Sequence, residues 1–325
     1  MSRAVLVTGA AGFIGYHVAQ ALLARGETVL GIDNLNAYYD PALKEARVAR
    51  LGSRAGFGFE RIDLADRAAV VALFARHDIG RVVHLAAQAG VRYSLTHPHA
   101  YIESNVAGFL NLLEPVRSRA VAHFVYASSS SVYGANEKMP FAVADRVDRP
   151  VSLYAATKRA NELMAYVYAR QFGIPLTGLR FFTVYGPWGR PDMAAMKFAQ
   201  AILAGEPIDV YNHGDMQRDF TYIDDVVDAV CRILDRVPAP LEGVAHRVFN
   251  IGNHQPEPLL RFIEVLSGAL GRKAELRMLP MQPGDVQSTY ADITETRREY
   301  GWTPSTTIDV GLSRMVEWYR DFYRV

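Results

Sequence analysis

With 325 residues, half of them hydrophobic, the chain is long enough for two domains or for one large domain with an appended lobe. Its formal net charge of +1 carries no basic excess, and no Lys/Arg block interleaved with aromatics occurs, so nucleic acid is not an expected partner. A single cysteine, Cys231, excludes an intrachain disulfide framework and fits a reducing, cytoplasmic setting; no leader pattern and no run of about 18 apolar residues points to export or a membrane.

Ala4 to Thr8 is a short apolar run, followed by Gly9, Gly12 and Gly15 and then a helical pattern through Val18, Leu22 and Leu23. The order is strand, glycine turn, helix. Such glycines permit a tight turn, close approach of backbone to a pyrophosphate and close helix-to-strand packing, with the helix start at Phe13 and Ile14 facing the phosphates. A second apolar run, Thr28 to Ile32, ends in Asp33, where an acid binds adenosine ribose hydroxyls and disfavours a 2′-phosphate. NAD is therefore expected ahead of NADP.

Strands are expected at Phe57 to Asp63, Arg81 to Ala86 and His123 to Ala127, with helices from about Asp66 to Arg76 and after Pro98, the latter carrying Asn105. Apolar strands alternating with amphipathic helices predict an α/β fold, a doubly wound parallel sheet of the Rossmann type covered on both faces. Ligands of such sheets sit outside the carboxyl ends of the strands. Asp63 and Leu64, then Leu85, Ala86 and Ala87, then Ser128 to Ser131, all fall at such ends.

Tyr154 and Lys158 lie four residues apart at the start of a long amphipathic run, on one helix face. A phenol with a free pKa near 10 needs about 4 kcal/mol of differential stabilisation to titrate near 7, and a nearby ammonium with a cationic cofactor ring would favour the phenolate. The serines and this pair are expected to converge where a nicotinamide cofactor exchanges a hydride with a sugar. Beyond the strand Leu176 to Phe182, the stretch Thr183 to Pro191 is expected to be a rigid loop leading into a second lobe. Helical patterns recur at Met193 to Ala204, Ile223 to Val237, Leu259 to Leu270 and Val310 to Tyr323, with a strand at Val248 to Ile251. The expected division is a nucleotide-binding domain over residues 1–182, to which about 223–258 return, and a smaller, interleaved mixed α/β substrate lobe over 183–222 and 259–325. His97-Pro98-His99 reads as a solvated helix start, no histidine or carboxylate spacing indicates a metal, and no Gly-x-Ser-x-Gly elbow suggests hydrolysis.

The ordered set Thr8-Gly-Ala-Ala-Gly-Phe-Ile-Gly15, Asp33-Asn34, Ser128 to Gly134 and Tyr154 to Lys158 resembles the extended short-chain dehydrogenase/reductase family over nearly the whole chain. Asn34 to Asp40, His84 to Ser94 and Phe181 to Met193 look more narrowly like UDP-glucuronate 4-epimerases. The resemblance implies that Tyr154 takes the sugar 4-hydroxyl proton while C4 gives hydride to NAD. It implies that Lys158 holds the cofactor ribose and lowers the tyrosine pKa, and that Ser129 bonds the reacting oxygen, with Ser128 and Ser130 close enough to compete for that role. Asp33, Asn34, Asp63, Leu64, Ala86 and Asn105 match cofactor contacts, and Phe181 lies where backbone faces the nicotinamide. Arg218 matches an arginine on the UDP phosphates and Asp285 a ribose contact. Arg92, in the second segment, falls on the substrate side. Galactose-type epimerases often have an arginine three before that aspartate; Gln282 stands here, which leaves Arg190 and Lys197 as candidates for the rest of the phosphate clamp.

Related 4,6-dehydratases have Asp-Glu just before Val-Tyr-Gly, and UDP-glucuronate decarboxylases keep the Glu. Ser130 and Ser131 stand at those places, with hydroxyls unsuited to acid/base work near neutrality. Together with Thr183, they form the set suited to holding a substrate carboxylate. The expectation is reversible UDP-glucuronate to UDP-galacturonate epimerisation, with NAD held tightly and recycled. UDP-hexose 4-epimerisation, UDP-glucuronate decarboxylation and a non-catalytic NAD sensor are the alternatives. Apolar positions on the Pro98 to Arg117 and Tyr154 to Phe172 helices would form the four-helix seam of a homodimer.

Overall fold

Seven parallel strands frame the computed structural model, which describes residues 3–282 and 286–325. The first six are β1 Ala4–Thr8, β2 Val29–Asp33, β3 Phe57–Arg61, β4 Ile79–His84, β5 His123–Ser129 and β6 Leu176–Phe181. Three shorter strands follow, β7 Thr183–Tyr185, β8 Ile208–Val210 and β9 Gln217–Tyr222, before β10 His246–Ile251 supplies the seventh. The order across the sheet is β10-β6-β5-β4-β1-β2-β3. Chain progression thus reverses between β1 and β4, which opens a crevice at their carboxyl ends.

Both faces of this sheet are buried because its strands are apolar on both sides. Val5, Val7, Val83, Val125 and Leu179 belong to one core cluster, while Leu6, Leu30, Val82, Phe124 and Leu176 belong to the other. The period of two along each strand divides them. Helices Phe13–Ala24 and Ile223–Asp235 pack together on the first face. The second face is covered by Arg67–Arg76 and Gly108–Arg117.

The smaller lobe holds a three-stranded sheet, ordered β11-β9-β7 with β11 at Pro256–Pro258, and a two-stranded one pairing β8 with β12, Leu276–Met278. Its helices are Ala194–Ala204, Leu259–Leu270, Thr294–Tyr300 and Ile308–Tyr323. Phe220, Phe262, Trp302 and Met315 join the first-face cluster, so one core runs through both lobes.

Strands β8, β9, β11 and β12 and helix Thr294–Tyr300 have no counterpart in the sequence expectation, and other elements differ from it. Helix Pro41–Gly52 was not anticipated; Asp40 caps it by accepting the Ala42 N–H at 2.9 Å, and Pro41 opens it. The Thr183 loop begins as an edge strand, β7, paired to β9. The helix after Pro98 is broken into a short α turn, a six-residue π turn at Ile102–Ala107 and a second α segment. Helix Ile223–Asp235 stops two residues early, before Pro238. Among the described residues no helix is long and apolar enough to cross a membrane, and no group of three or more His, Cys, Asp or Glu could hold a metal ion.

Candidate active site

The carboxyl ends of the central strands open into a cleft of about 890 Å³. Gly9, Gly12, Phe13, Ile14 and Gly15 line it where helix Phe13–Ala24 begins without a side-chain cap, so its first N–H groups are available to an anion. Only glycine suits the turn. Gly9 has φ +70°, with an added Cβ 2.7 Å from the Ala86 nitrogen, and a Cβ on Gly15 would lie 2.0 Å from the Gly9 carbonyl oxygen. Asp33 closes β2 at the same wall, its Oδ1 accepting the Leu35 N–H at 2.9 Å. Burial pushes its carboxyl up, partly offset by that N–H and by the Lys44 charge. Asn34 donates to Asp63 at 3.0 Å, and Leu64, Leu85, Ala86, Ala87 and Phe181 complete this side. Cradle, helix terminus and ribose acid fit a dinucleotide.

Asn105 is placed differently from its expected cofactor contact. It is 1% exposed, lies behind the wall, accepts the Gln88 N–H at 2.7 Å and donates to the Gln88 carbonyl at 3.0 Å and Thr157 Oγ1 at 3.1 Å. The π turn swings it inward and brings Ser104 to the cleft. It therefore supports the Gln88 loop. Two cations went unread: Lys44, which lines the cleft and donates to the Asn36 carbonyl and Oδ1 at 2.7 Å each, and Arg47. Arg47 is fully buried and donates to the Ala11 carbonyl (2.8 Å), the Tyr39 hydroxyl (2.8 Å) and the Trp188 carbonyl (2.6 Å), tying the glycine turn to the loop after β7.

Ser152 caps helix Leu153–Phe172 by accepting the Ala155 N–H at 3.1 Å, which puts Tyr154 in the first turn and Lys158 one turn on. Ser129 is the neighbouring hydroxyl that favours the phenolate of Tyr154. Ser129 Oγ donates to Ser131 Oγ at 3.1 Å and accepts the Ser131 N–H at 3.2 Å. Ser128 turns away, donating to Glu162 at 2.6 Å, and Glu162 takes both arms of Arg180 at 2.8 and 2.9 Å. Of the adjacent serines, Ser128 is thus engaged with Glu162, while Ser129 is the one that bears on the tyrosine.

The Lys158 ammonium is anchored to the end of β5. It donates to the Ala127 carbonyl at 3.0 Å, and burial pushes its pKa down to about 8. Burial raises the Tyr154 phenol; the Ser129 hydroxyl and the Arg190 charge oppose it. Arg190, a cation that favours the phenolate, comes from the loop after β7.

Ser130, Ser131 and Thr183 line the same cleft, Thr183 being held by its pairing to Phe220. Arg190 lines it too, with its fork on Asp192 at 3.0 and 2.5 Å, at the tyrosine end. Toward the smaller lobe come Lys197, Arg92, whose guanidinium lies 5.3 Å over the Tyr211 ring, and Arg218, which donates to the Gln217 and Gln287 carbonyls at 2.9 and 3.0 Å. Asp285 lies outside the described residues. Phe198, Ile208, Met216 and Leu259 make an apolar end that the sequence presents as ordinary core spacing.

A family model described as the NAD dependent epimerase/dehydratase family matches residues 5–252. An uncharacterized 37.6 kDa protein of Escherichia coli O111:H- is 54% identical, over 98% of this chain and 99% of its own. A probable UDP-glucuronate 4-epimerase of Rhizobium meliloti is 48% identical, over 98% of this chain and 97% of its own. The crystal structure of UDP-glucuronic acid 4-epimerase from Bacillus cereus in complex with UDP-glucuronic acid and NAD matches with a TM-score of 0.90 at 34% identity, covering 98% of this chain and all of that one.

Proposed function

Since the chain belongs to the NAD dependent epimerase/dehydratase family, we propose that it interconverts UDP-glucuronate and UDP-galacturonate by inversion at C4. The observation that carries this is the meeting of Tyr154, Ser129, Ser130, Ser131 and Thr183 in one cleft with the glycine turn, with hydroxyls where dehydratases have acids. Gly9, Gly12, Gly15 and Asp33 would hold NAD, which would supply the acceptor for the C4 hydride and its return. Tyr154 takes the 4-hydroxyl proton and gives it back after the 4-keto sugar has turned its other face; Ser129 steadies the oxygen through both half-reactions. Lys158 orders the cofactor ribose from its seat on the Ala127 carbonyl.

A 4-keto glucuronate carries its carboxylate beta to the ketone and loses carbon dioxide when the breaking bond aligns with the carbonyl. Ser130, Ser131 and Thr183 hold it out of alignment, so orientation protects the carbon count. Arg218 and Lys197 anchor the diphosphate while the sugar rotates. Exposed Ile102, Leu110, Leu163, Tyr166 and Val167 on the two long helices supply the seam of a homodimer, and the buried free thiol of Cys231 suits a reducing cytoplasm.

Proton NMR of the protein with UDP-glucuronate tests the activity. A galacto H4 signal with all carbons retained, lowered about a thousandfold in Tyr154→Phe, is expected. A pentose product would replace this reading with decarboxylation, and faster turnover of UDP-glucose would replace it with neutral-hexose epimerisation. In Thr183→Ala, carbon dioxide should appear beside the epimer; undiminished carboxylate retention would remove Thr183 from the carboxylate site.

A further inference from the structure

Side chains alternate along a strand, so neighbours on β9 face opposite ways. Arg218 and Phe220 line the cleft, and Asp219 between them turns into the protein, where it is fully buried. A carboxylate taken out of water is destabilising unless donors replace the water it loses. Asp219 finds them on its own strand and on two stretches remote from it. Its Oδ1 accepts the Asn253 N–H and, at 3.3 Å, the Thr221 hydroxyl; its Oδ2 accepts the His254 N–H at 3.1 Å and the Ala291 N–H at 3.0 Å. The two remote stretches are also pressed together, since a Cβ on Gly252 would lie 2.4 Å from the Ala291 Cβ.

Ala291 ends a stretch, 286–291, that runs along β9. The Gln217 N–H donates to the Gln287 carbonyl at 3.0 Å, the Thr289 N–H to the Gln217 carbonyl at 3.2 Å, and the Asp219 N–H to Thr289 Oγ1 at 3.3 Å. The Arg218 guanidinium donates to the same Gln287 carbonyl at 3.0 Å, and Val286 and Thr289 line the cleft with it. The carbonyl that seats Arg218 thus belongs to a stretch whose far end is held by Asp219. Phe141 holds that end as well, its N–H donating to the Tyr290 carbonyl at 2.7 Å. Bonds to an ionised acceptor are roughly twice as strong as such neutral ones, so the carboxylate is the firmer hold.

We propose that Asp219 is a positioning residue for sugar-nucleotide binding: its carboxylate clasps the 286–291 stretch to the end of β10 and, through the Gln287 carbonyl, steadies the Arg218 guanidinium at the cleft. This rests on Arg218 as a ligand of the diphosphate. Without the clasp the stretch drifts from β9, and Arg218 must be ordered again whenever the sugar nucleotide arrives, which weakens binding and leaves the hydride step alone.

The test is calorimetric binding of UDP to the NAD-loaded protein, with steady-state kinetics on UDP-glucuronate. Asp219→Asn keeps the shape but turns an NH2 group toward backbone N–H groups, so a clasped amide loses its acceptor. It should weaken UDP about tenfold and raise KM about as much, with kcat held within about twofold. Arg218→Met should weaken UDP at least as far, and the double variant no further than Arg218→Met alone. Unchanged UDP affinity in Asp219→Asn, a loss confined to kcat, or additive losses in the double variant would overturn the proposal. Unchanged affinity in Arg218→Met would overturn it too, by removing Arg218 from the diphosphate. UDP binding is read without turnover, so absence of epimerisation would remove the function proposed above while the affinities still judge the clasp. If Asp219→Asn does not fold, amide hydrogen exchange of the wild-type protein decides: UDP should slow exchange at Asn253 and His254 as well as at Ala291, and unaltered exchange at Asn253 and His254 overturns the clasp.

Discussion

Glu162 gathers donors from three residues in a space closed to water: Ser128 at 2.6 Å, Arg159 at 2.8 Å, and Arg180 at 2.8 and 2.9 Å. Burial pushes its carboxyl up, but the Arg180 hydrogen bonds and charge outweigh this and hold it below the usual range. Glu162→Gln leaves a buried guanidinium without its counter-charge, and denaturant unfolding should show a loss of about 3–5 kcal/mol. Ser128→Ala removes one hydrogen bond from the same cluster and should cost about 1–2 kcal/mol. Ser129→Ala, one residue on, should lower kcat about a hundredfold, by analogy with loss of one donor to a reacting oxygen, while stability changes little. The pair of alanine variants separates support from chemistry. For Lys158, burial lowers the folded-state pKa to about 8 against an ordinary value near 10.5. Between those values the unfolded chain binds the extra proton, so its contribution to stability rises with pH over that window. If Lys158 seats the cofactor ribose as proposed, activity should nevertheless fall as pH passes about 8, where its ammonium is discharged. Paired kcat and unfolding measurements at pH 7 and 9 check the opposite signs.

Helix Leu153–Phe172 aims the tyrosine only because it starts where it does. Ser152→Ala should cost about 1 kcal/mol of stability. It should also reduce kcat more than it changes KM, since Tyr154 lies within the first turn, which frays when uncapped. Strands β1, β4, β5 and β6 were legible in the sequence because burial on both faces leaves runs such as Val5-Leu6-Val7 with no polar interruption. Helix Pro41–Gly52 was not, since two of its four buried positions are Lys44 and Arg47, which a sequence pattern assigns to water. Asn105 was expected at the cofactor from the resemblance alone; in the π turn it is bonded instead to Gln88 and Thr157. Strand β7, at three residues, is too short to alternate visibly. Of the site, the glycines, Asp33, the serines and the Tyr154–Lys158 pair could be found by spacing. Asp192 could not, because a carboxylate two residues after an arginine in a loop says nothing of which residues share its hydrogen bonds.

At the scale of the molecule, the shared core fastens the smaller lobe to one face of the sheet, and the outer surface of the two long helices is left apolar. Leu163 is 53% exposed there. Leu163→Arg should yield monomers by light scattering if that surface is the dimer seam, and an unchanged mass would move the seam elsewhere. The buried Arg47 joins the glycine turn to the loop after β7, behind the cofactor side of the cleft. A guanidinium keeps its proton at any working pH, and one with no exposed surface is beyond the reach of small ions. Arg218 and Lys197, proposed to hold the diphosphate of the sugar nucleotide, lie toward the smaller lobe, where at ~1 M salt the screening length is about 3 Å. Rising ionic strength should therefore release the sugar nucleotide well before the dinucleotide, and equilibrium dialysis in graded sodium chloride would record two separate departures. If the cofactor is kept through every turnover as proposed, while the product is let go each time, that asymmetry would lie in the depth of the charges around each.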